Sequence, residues 1–226
     1  MAVYFELYGL PGAGKTTLCR PVINYLEDNG YKVADLDCIY HRNCRNGNKI
    51  PVFFKLLLKV RLYPLYFKLL KVFLSCNSSD RSFSFFLKSV FLSYQILDAN
   101  KKGKYDIILC EEGFVQYISS FSYAEKLPNT ESIKELCSYI HSLIEVHLIQ
   151  CLLGVEDSFK RIEGRPVVSR RYSSTCPAEQ LRKALETKSI NLSVISSYFS
   201  NKLSLDMFEN LNNNRQRLIS YILENY

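Results

Sequence analysis

The sequence predicts an α/β fold: a three-layer sandwich with helices on both faces of a five-stranded parallel sheet. Three observations lead there. Short apolar runs of strand character alternate with longer stretches of helical periodicity along the 226 residues. At the N-terminus a strand, a glycine-rich turn, a helix and a second strand follow one another, a βαβ order that makes the two strands parallel. A composition of 47% hydrophobic and 23% charged residues is that of an ordinary globular chain, which excludes a disordered or fibrous protein.

The first strand is Val3–Tyr8, and Gly9 to Gly14 is a loop with three glycines and a proline. From Lys15 to Asn29 the spacing of Leu18, Val22 and Leu26 is helical, and Asn29-Gly30 stops it. Lys32 to Asp37 reads as the second strand. Pro51 to Leu74 is dense in apolar residues with lysines interspersed, and Pro64 divides it into two short helices. Cys76 to Asp80 is a loop and Ser82 to Asn100 a helix. Tyr105 to Cys110 is a third strand, apolar enough for a central position. Ile133–Leu143 is helical, Glu145–Leu153 a fourth strand, Glu156–Glu163 a helix and Pro177–Phe199 a long helix. Lys202–Met207 is a fifth strand and Asn214–Asn225 a closing helix. The whole chain, 1–226, reads as one domain.

Charge is distributed unevenly. Residues 41–104 hold thirteen Lys/Arg and two Asp/Glu, a balance of +11, whereas the remainder balances at −4. A nucleic-acid binder would spread its basicity over a binding face, so no specific nucleic-acid partner is expected. The segment admits three readings: helices packed on the sheet with lysines reaching outward, attraction of an anionic acceptor, or peripheral membrane contact through 51–74. No run approaches the ~20 apolar residues of a membrane span, and no signal sequence precedes the glycine-rich turn. The eight cysteines form no Cys-x-x-Cys pair and the three histidines no metal-ligand spacing. A cytoplasmic protein with reduced thiols is the expectation, and a homodimer is compatible with it.

Chemistry concentrates in Gly9-Leu-Pro-Gly-Ala-Gly14-Lys15-Thr16, which fits the phosphate-loop pattern Gly-x-x-x-x-Gly-Lys-[Ser/Thr] at every required position. Backbone N–H groups of such a loop cradle a triphosphate, and the helix that follows adds partial positive charge. Gly9, Pro11, Gly12, Ala13, Gly14, Lys15, Thr16 and Thr17 are therefore the predicted nucleotide-binding residues. Lys15 would reach the β- and γ-phosphates, and the Thr16 hydroxyl would ligand Mg²⁺.

The motif, its placement and the element order resemble the P-loop NTPase superfamily, and within it the nucleoside and nucleotide kinase-like group, thymidylate kinases among them. The resemblance implies strand order 2-3-1-4-5, ATP and Mg²⁺ as cofactors, and a helical acceptor-binding insertion at 41–104 between strands two and three. It implies an arginine-rich lid at 155–176, where Arg161 and Arg165, followed by Arg170-Arg171, would close over the transferring phosphoryl group. Asp35-Leu-Asp37 resembles the carboxylates placed beside the acceptor hydroxyl and Mg²⁺. Alternation along a strand would turn both to one side, and Asp37 is the expected acceptor-positioning residue or base. Glu111 stands where the superfamily holds Mg²⁺ through water, with Glu112 where deoxynucleoside kinases carry Arg.

The implied activity is phosphoryl transfer from ATP to a small acceptor, a nucleoside, nucleotide or sugar, with an anionic one among the expectations. The alternative is an NTP-hydrolysing ATPase acting as a switch or regulator, which the Glu111-Glu112 pair also suits.

Overall fold

The computed structural model describes residues 2–36, 60–76, 82–101, 104–122, 125, 127, 130–164 and 177–226. Its strands are β1 (Val3–Tyr8), β2 (Val33–Asp35), β3 (Ile107–Cys110), β4 (Val146–Leu152) and β5 (Lys202–Asp206). They form one sheet in the order β2-β3-β1-β4-β5, and every neighbouring pair is parallel. The helices are α1 (Lys15–Asp28), α2 (Tyr63–Ser75), α3 (Phe83–Lys101), α4 (Phe114–Ile118), α5 (Thr130–Leu143), α6 (Val155–Glu163), α7 (Ala178–Ser196) and α8 (Leu211–Glu224).

Strand alternation separates two cores. Phe5 and Leu7 of β1 and Ile107 and Leu109 of β3 face one side. There they meet Leu18, Val22 and Leu26 of α1 and Leu218 and Ile222 of α8. Tyr4 and Tyr8 of β1 and Ile108 and Cys110 of β3 face the other side. There they meet Leu65 and Leu69 of α2, Ile96 of α3, Val115 of α4 and Ile133 of α5. Two covered faces are what an all-parallel sheet requires. The centre of the sheet is dry, with all four β3 residues buried.

Pro64 lies in the first turn of α2, behind a short 3₁₀ turn at Val60–Leu62. Proline fits there because the first-turn N–H groups have no intrahelical acceptor. The outer face of α2 leaves Phe67 and Leu74 exposed beside Lys71, while residues 51–59 lie outside the described residues. Five cysteines, Cys19, Cys76, Cys110, Cys137 and Cys151, are buried thiols. Burial pushes the Cys137 thiol up to about 12. Among the described residues no helix is long and apolar enough to cross a membrane.

Four elements depart from expectation. Helix α4 occupies a stretch with no helical periodicity in the sequence, because all five of its residues are buried and it has no polar face. Helices α5 and α8 begin three residues earlier than the apolar spacing shows, at Thr130 and Leu211. Strand β2 ends at Asp35, two residues short of Asp37. It pairs with β3 alone, Asp35 opposite Leu109, and β3 itself ends at the next residue.

Candidate functional site

The ends of β1, β2 and β3 point to one edge of the sheet, where the Gly9–Gly14 loop turns into α1. The loop is built on close approach. A Cβ on Gly9 would lie 2.5 Å from the carbonyl oxygen of Cys151 on β4, so any larger residue would push the loop off the sheet. Gly12 (φ 85°) and Gly14 (φ 77°) take the left-handed conformations that let the backbone wrap inward. Ala13 N–H donates to Leu10 O at 3.1 Å, and Leu18 N–H to Gly14 O at 3.0 Å, joining the turn to the helix.

Lys15 is folded over this turn. Its Nζ donates to Gly9 O at 3.2 Å and to Leu10 O at 3.3 Å, and the side chain is buried. Thr16 and Thr17, one position further, are exposed at the mouth.

Helix α6 buttresses the loop from the side. Ser158 Oγ donates to Pro11 O at 2.6 Å, and Arg161 Nη1 to Gly12 O at 3.1 Å. The Arg161 guanidinium also lies 5.6 Å from the centre of the Phe208 ring, just past β5. Met207 stands against Gly14, its Cε 3.2 Å from where a Cβ would be. The stretch after β5 therefore lines the same loop. Helix α6 is held in turn by α7, with Arg182 on Glu156 at 2.9 Å and stacked 4.0 Å from the Phe159 ring.

Glu111 and Glu112 follow β3 and are both half-buried. The Glu112 carbonyl accepts from Cys110 Sγ at 3.0 Å. Its side chain lines a narrow crevice with Leu36, Lys88, Gln95 and Tyr117, between β2, β3 and α3. Lys88 reaches over the Tyr117 ring, 5.4 Å from its centre. Of the remaining expected site residues, Asp37, Arg165, Arg170 and Arg171 lie outside the described residues. Strand β2 carries its alternation as far as Asp35.

The structure adds residues that sequence reasoning passed over. Glu6 is fully buried in β1, the middle strand, between Tyr4 and Tyr8. It accepts from Tyr4 Oη at 3.1 Å and from the backbone N–H of Gln116 at 3.1 Å. Burial raises its carboxyl from 4.5 to about 7, against the lowering effect of those N–H donors. The same burial and the nearby Glu6 charge raise the Tyr4 hydroxyl. Gln116 and Lys188 are buried with it. A signal for Glu6 was present: one acidic residue in a strand otherwise fit only for the interior.

No family model matches the chain, and no curated protein sequence matches it. Solved structures do. A shikimate kinase from Bacteroides thetaiotaomicron superposes with a TM-score of 0.55 at 12% identity, over 98% of this chain and 98% of that one. The fold is that of the P-loop kinases. A shikimate kinase from Acinetobacter baumannii, in complex with shikimate, is also similar, with a TM-score of 0.47 and 18% identity over 100% of this chain and 95% of that one. Strand order 2-3-1-4-5 and helices on both faces are the properties of the P-loop kinase fold expected from the sequence.

Proposed function

We propose that the protein is an ATP- and Mg²⁺-dependent phosphotransferase acting on a small acceptor that carries a hydroxyl or phosphate. One observation carries the reading: two cationic side chains from separate elements, Lys15 of α1 and Arg161 of α6, converge on one turn of glycine-rich backbone. Such a turn supplies N–H donors in a fixed array, and the two cations supply charge where phosphoryl oxygens gather negative charge in the transition state. The residues fit a nucleotide: Gly12 and Gly14 take the left-handed conformations that such a loop needs, and the Thr16 side chain is exposed.

Bound Mg²⁺ would neutralise phosphate charge. Thr16 would hold it together with the nucleotide's own oxygens and Glu111 through water, which needs no cluster of protein ligands. Among the described residues there is no group of three or more His, Cys, Asp or Glu placed to hold a metal ion. Lys15 would move from the Gly9 and Leu10 carbonyls to the phosphates. Met207 and Phe208 would flank the base. Asp37 remains the proposed acceptor-positioning residue, Arg165 a lid residue beside Arg161, and 41–104 the acceptor-binding insertion. A thymidylate kinase-like specificity has no support in the comparisons, and the acceptor is proposed only by class.

The deciding experiment is ADP release by the purified chain with MgATP across a panel of hydroxy acids, nucleosides, nucleotides and sugars. Acceptor-dependent release supports the kinase. Hydrolysis at one rate with every acceptor would establish the ATPase alternative, and no uptake of MgATP would remove both.

A further inference from the structure

Helix α4 is clamped at both ends by buried polar side chains. At its N-terminus the Glu6 carboxyl group accepts the backbone N–H of Gln116 at 3.1 Å. At its C-terminus Lys188 of α7 donates to Gln116 O at 2.9 Å, to Ser119 Oγ at 2.6 Å and to Ser120 Oγ. An acceptor at the amide end and a cationic donor at the carbonyl end match the direction of the peptide dipoles. Gly113 makes the first contact feasible, since a Cβ there would lie 2.4 Å from the Glu6 carboxylate.

The clamp aims one side chain. Gln116 Oε1 accepts from Gly9 N–H at 3.3 Å, and Gly9 is the first residue of the phosphate loop. The Gly9 carbonyl, one residue's span away, is in turn the acceptor for Lys15 Nζ. Gln116 thereby orients the Tyr8–Gly9 peptide, which adjoins through the Gly9 Cα the Gly9–Leu10 peptide on which Lys15 rests. The packing needs of this site would be met equally by Leu or Met. A glutamine buried here is accounted for by the Gly9 N–H, which would otherwise be enclosed without an acceptor.

On the reading of Gly9–Thr16 as a triphosphate cradle, we infer that Gln116 is a positioning residue for that cradle. Held by Glu6 and Lys188, it fixes the Tyr8–Gly9 peptide, and through the Gly9 Cα the carbonyl from which Lys15 approaches the phosphates. It touches neither substrate nor reacting atoms.

The test compares the full chain with Gln116→Met, which keeps the volume and removes the acceptor. Two quantities are measured: MgATP affinity by calorimetry, and hydrogen exchange of the Gly9 amide by NMR without nucleotide. The inference expects Gln116→Met to bind MgATP about tenfold more weakly, the loss of roughly one hydrogen bond's worth of preorganisation. It also expects faster exchange at Gly9 with the β1 amides still protected. Unchanged affinity in a folded variant overturns the inference, and so does a uniform rise in exchange across β1 and the loop, which marks general destabilisation. Should Gln116→Met not fold, exchange in the unaltered protein decides: a Gly9 amide slower than an exposed one supports the inference, and one as fast overturns it. If the unaltered protein takes up no MgATP while its Gly9 amide is protected, the functional reading has failed and the role of Gln116 toward a nucleotide goes with it.

Discussion

Glu6 on the middle strand accepts the backbone N–H of Gln116, 110 positions later, at 3.1 Å. A carboxyl group is thus sealed in the sheet's core, with Tyr4, Tyr8 and Cys137 as the titratable groups that interact with it. None of these is cationic, so desolvation governs the acid, and its carboxyl sits at about 7.

That value has a consequence for stability. The folded chain holds the Glu6 proton up to about pH 7, whereas the unfolded chain releases it near 4.5. Stability from this group is therefore complete below pH 4.5 and is lost as pH rises to 7, by on the order of 3 kcal/mol. Glu6→Gln should remove that slope. Urea unfolding of both proteins from pH 5 to pH 8 checks it: the stability of the original relative to the variant should fall as pH rises, and a flat difference rules the idea out.

Gly113→Ala should destabilise the fold by roughly 1–3 kcal/mol, as overpacking does. The new methyl would meet Tyr4 Oη at 2.1 Å and the Glu6 carboxylate at 2.4 Å. Adding Tyr4→Phe should restore only part of the loss, because the Glu6 contact remains. Thermal melts of the three proteins measure this, and a single variant as stable as the original contradicts the geometry.

Lys15→Ala should cut acceptor-dependent turnover at least ~100-fold, since it removes a charge aimed at the transferring phosphoryl group. Steady-state ADP release by a variant with an unaltered circular dichroism spectrum is the measurement. Activity at the original level would dissociate the loop from catalysis.

Arg161→Ala should lower kcat by about tenfold or more and shift nucleotide affinity less, because a guanidinium at the loop's flank acts mainly where charge develops. Kinetics paired with calorimetry separate the two quantities. A loss confined to affinity would make Arg161 a ground-state binding residue and nothing more.

The phosphate loop, the helix after it and the parallel order of the strands were legible in the amino-acid sequence. Each rests on neighbours in the chain: glycines at fixed offsets, apolar residues at steps of four, and dense apolar runs of strand length. A lid position for Arg161 was expected from element order. Its bond to Gly12, 149 positions away, was not. The pairing of Asp35 with Asp37 was expected from a strand reaching Asp37; β2 ends at Asp35, and Asp37 lies outside the described residues.

Helix α4 and its clamp were decided by tertiary structure alone. Read locally, Phe114-Val-Gln-Tyr-Ile118 is a short apolar run without a cap, and Lys188 is one lysine in an amphipathic helix. Only folding brings Glu6 to the amide end of α4, and Lys188 to its carbonyl end across 72 positions. Local pattern reports which face of an element avoids water. It carries no record of which distant polar group will meet a buried one, and burial in a medium of low polarity makes that meeting decisive.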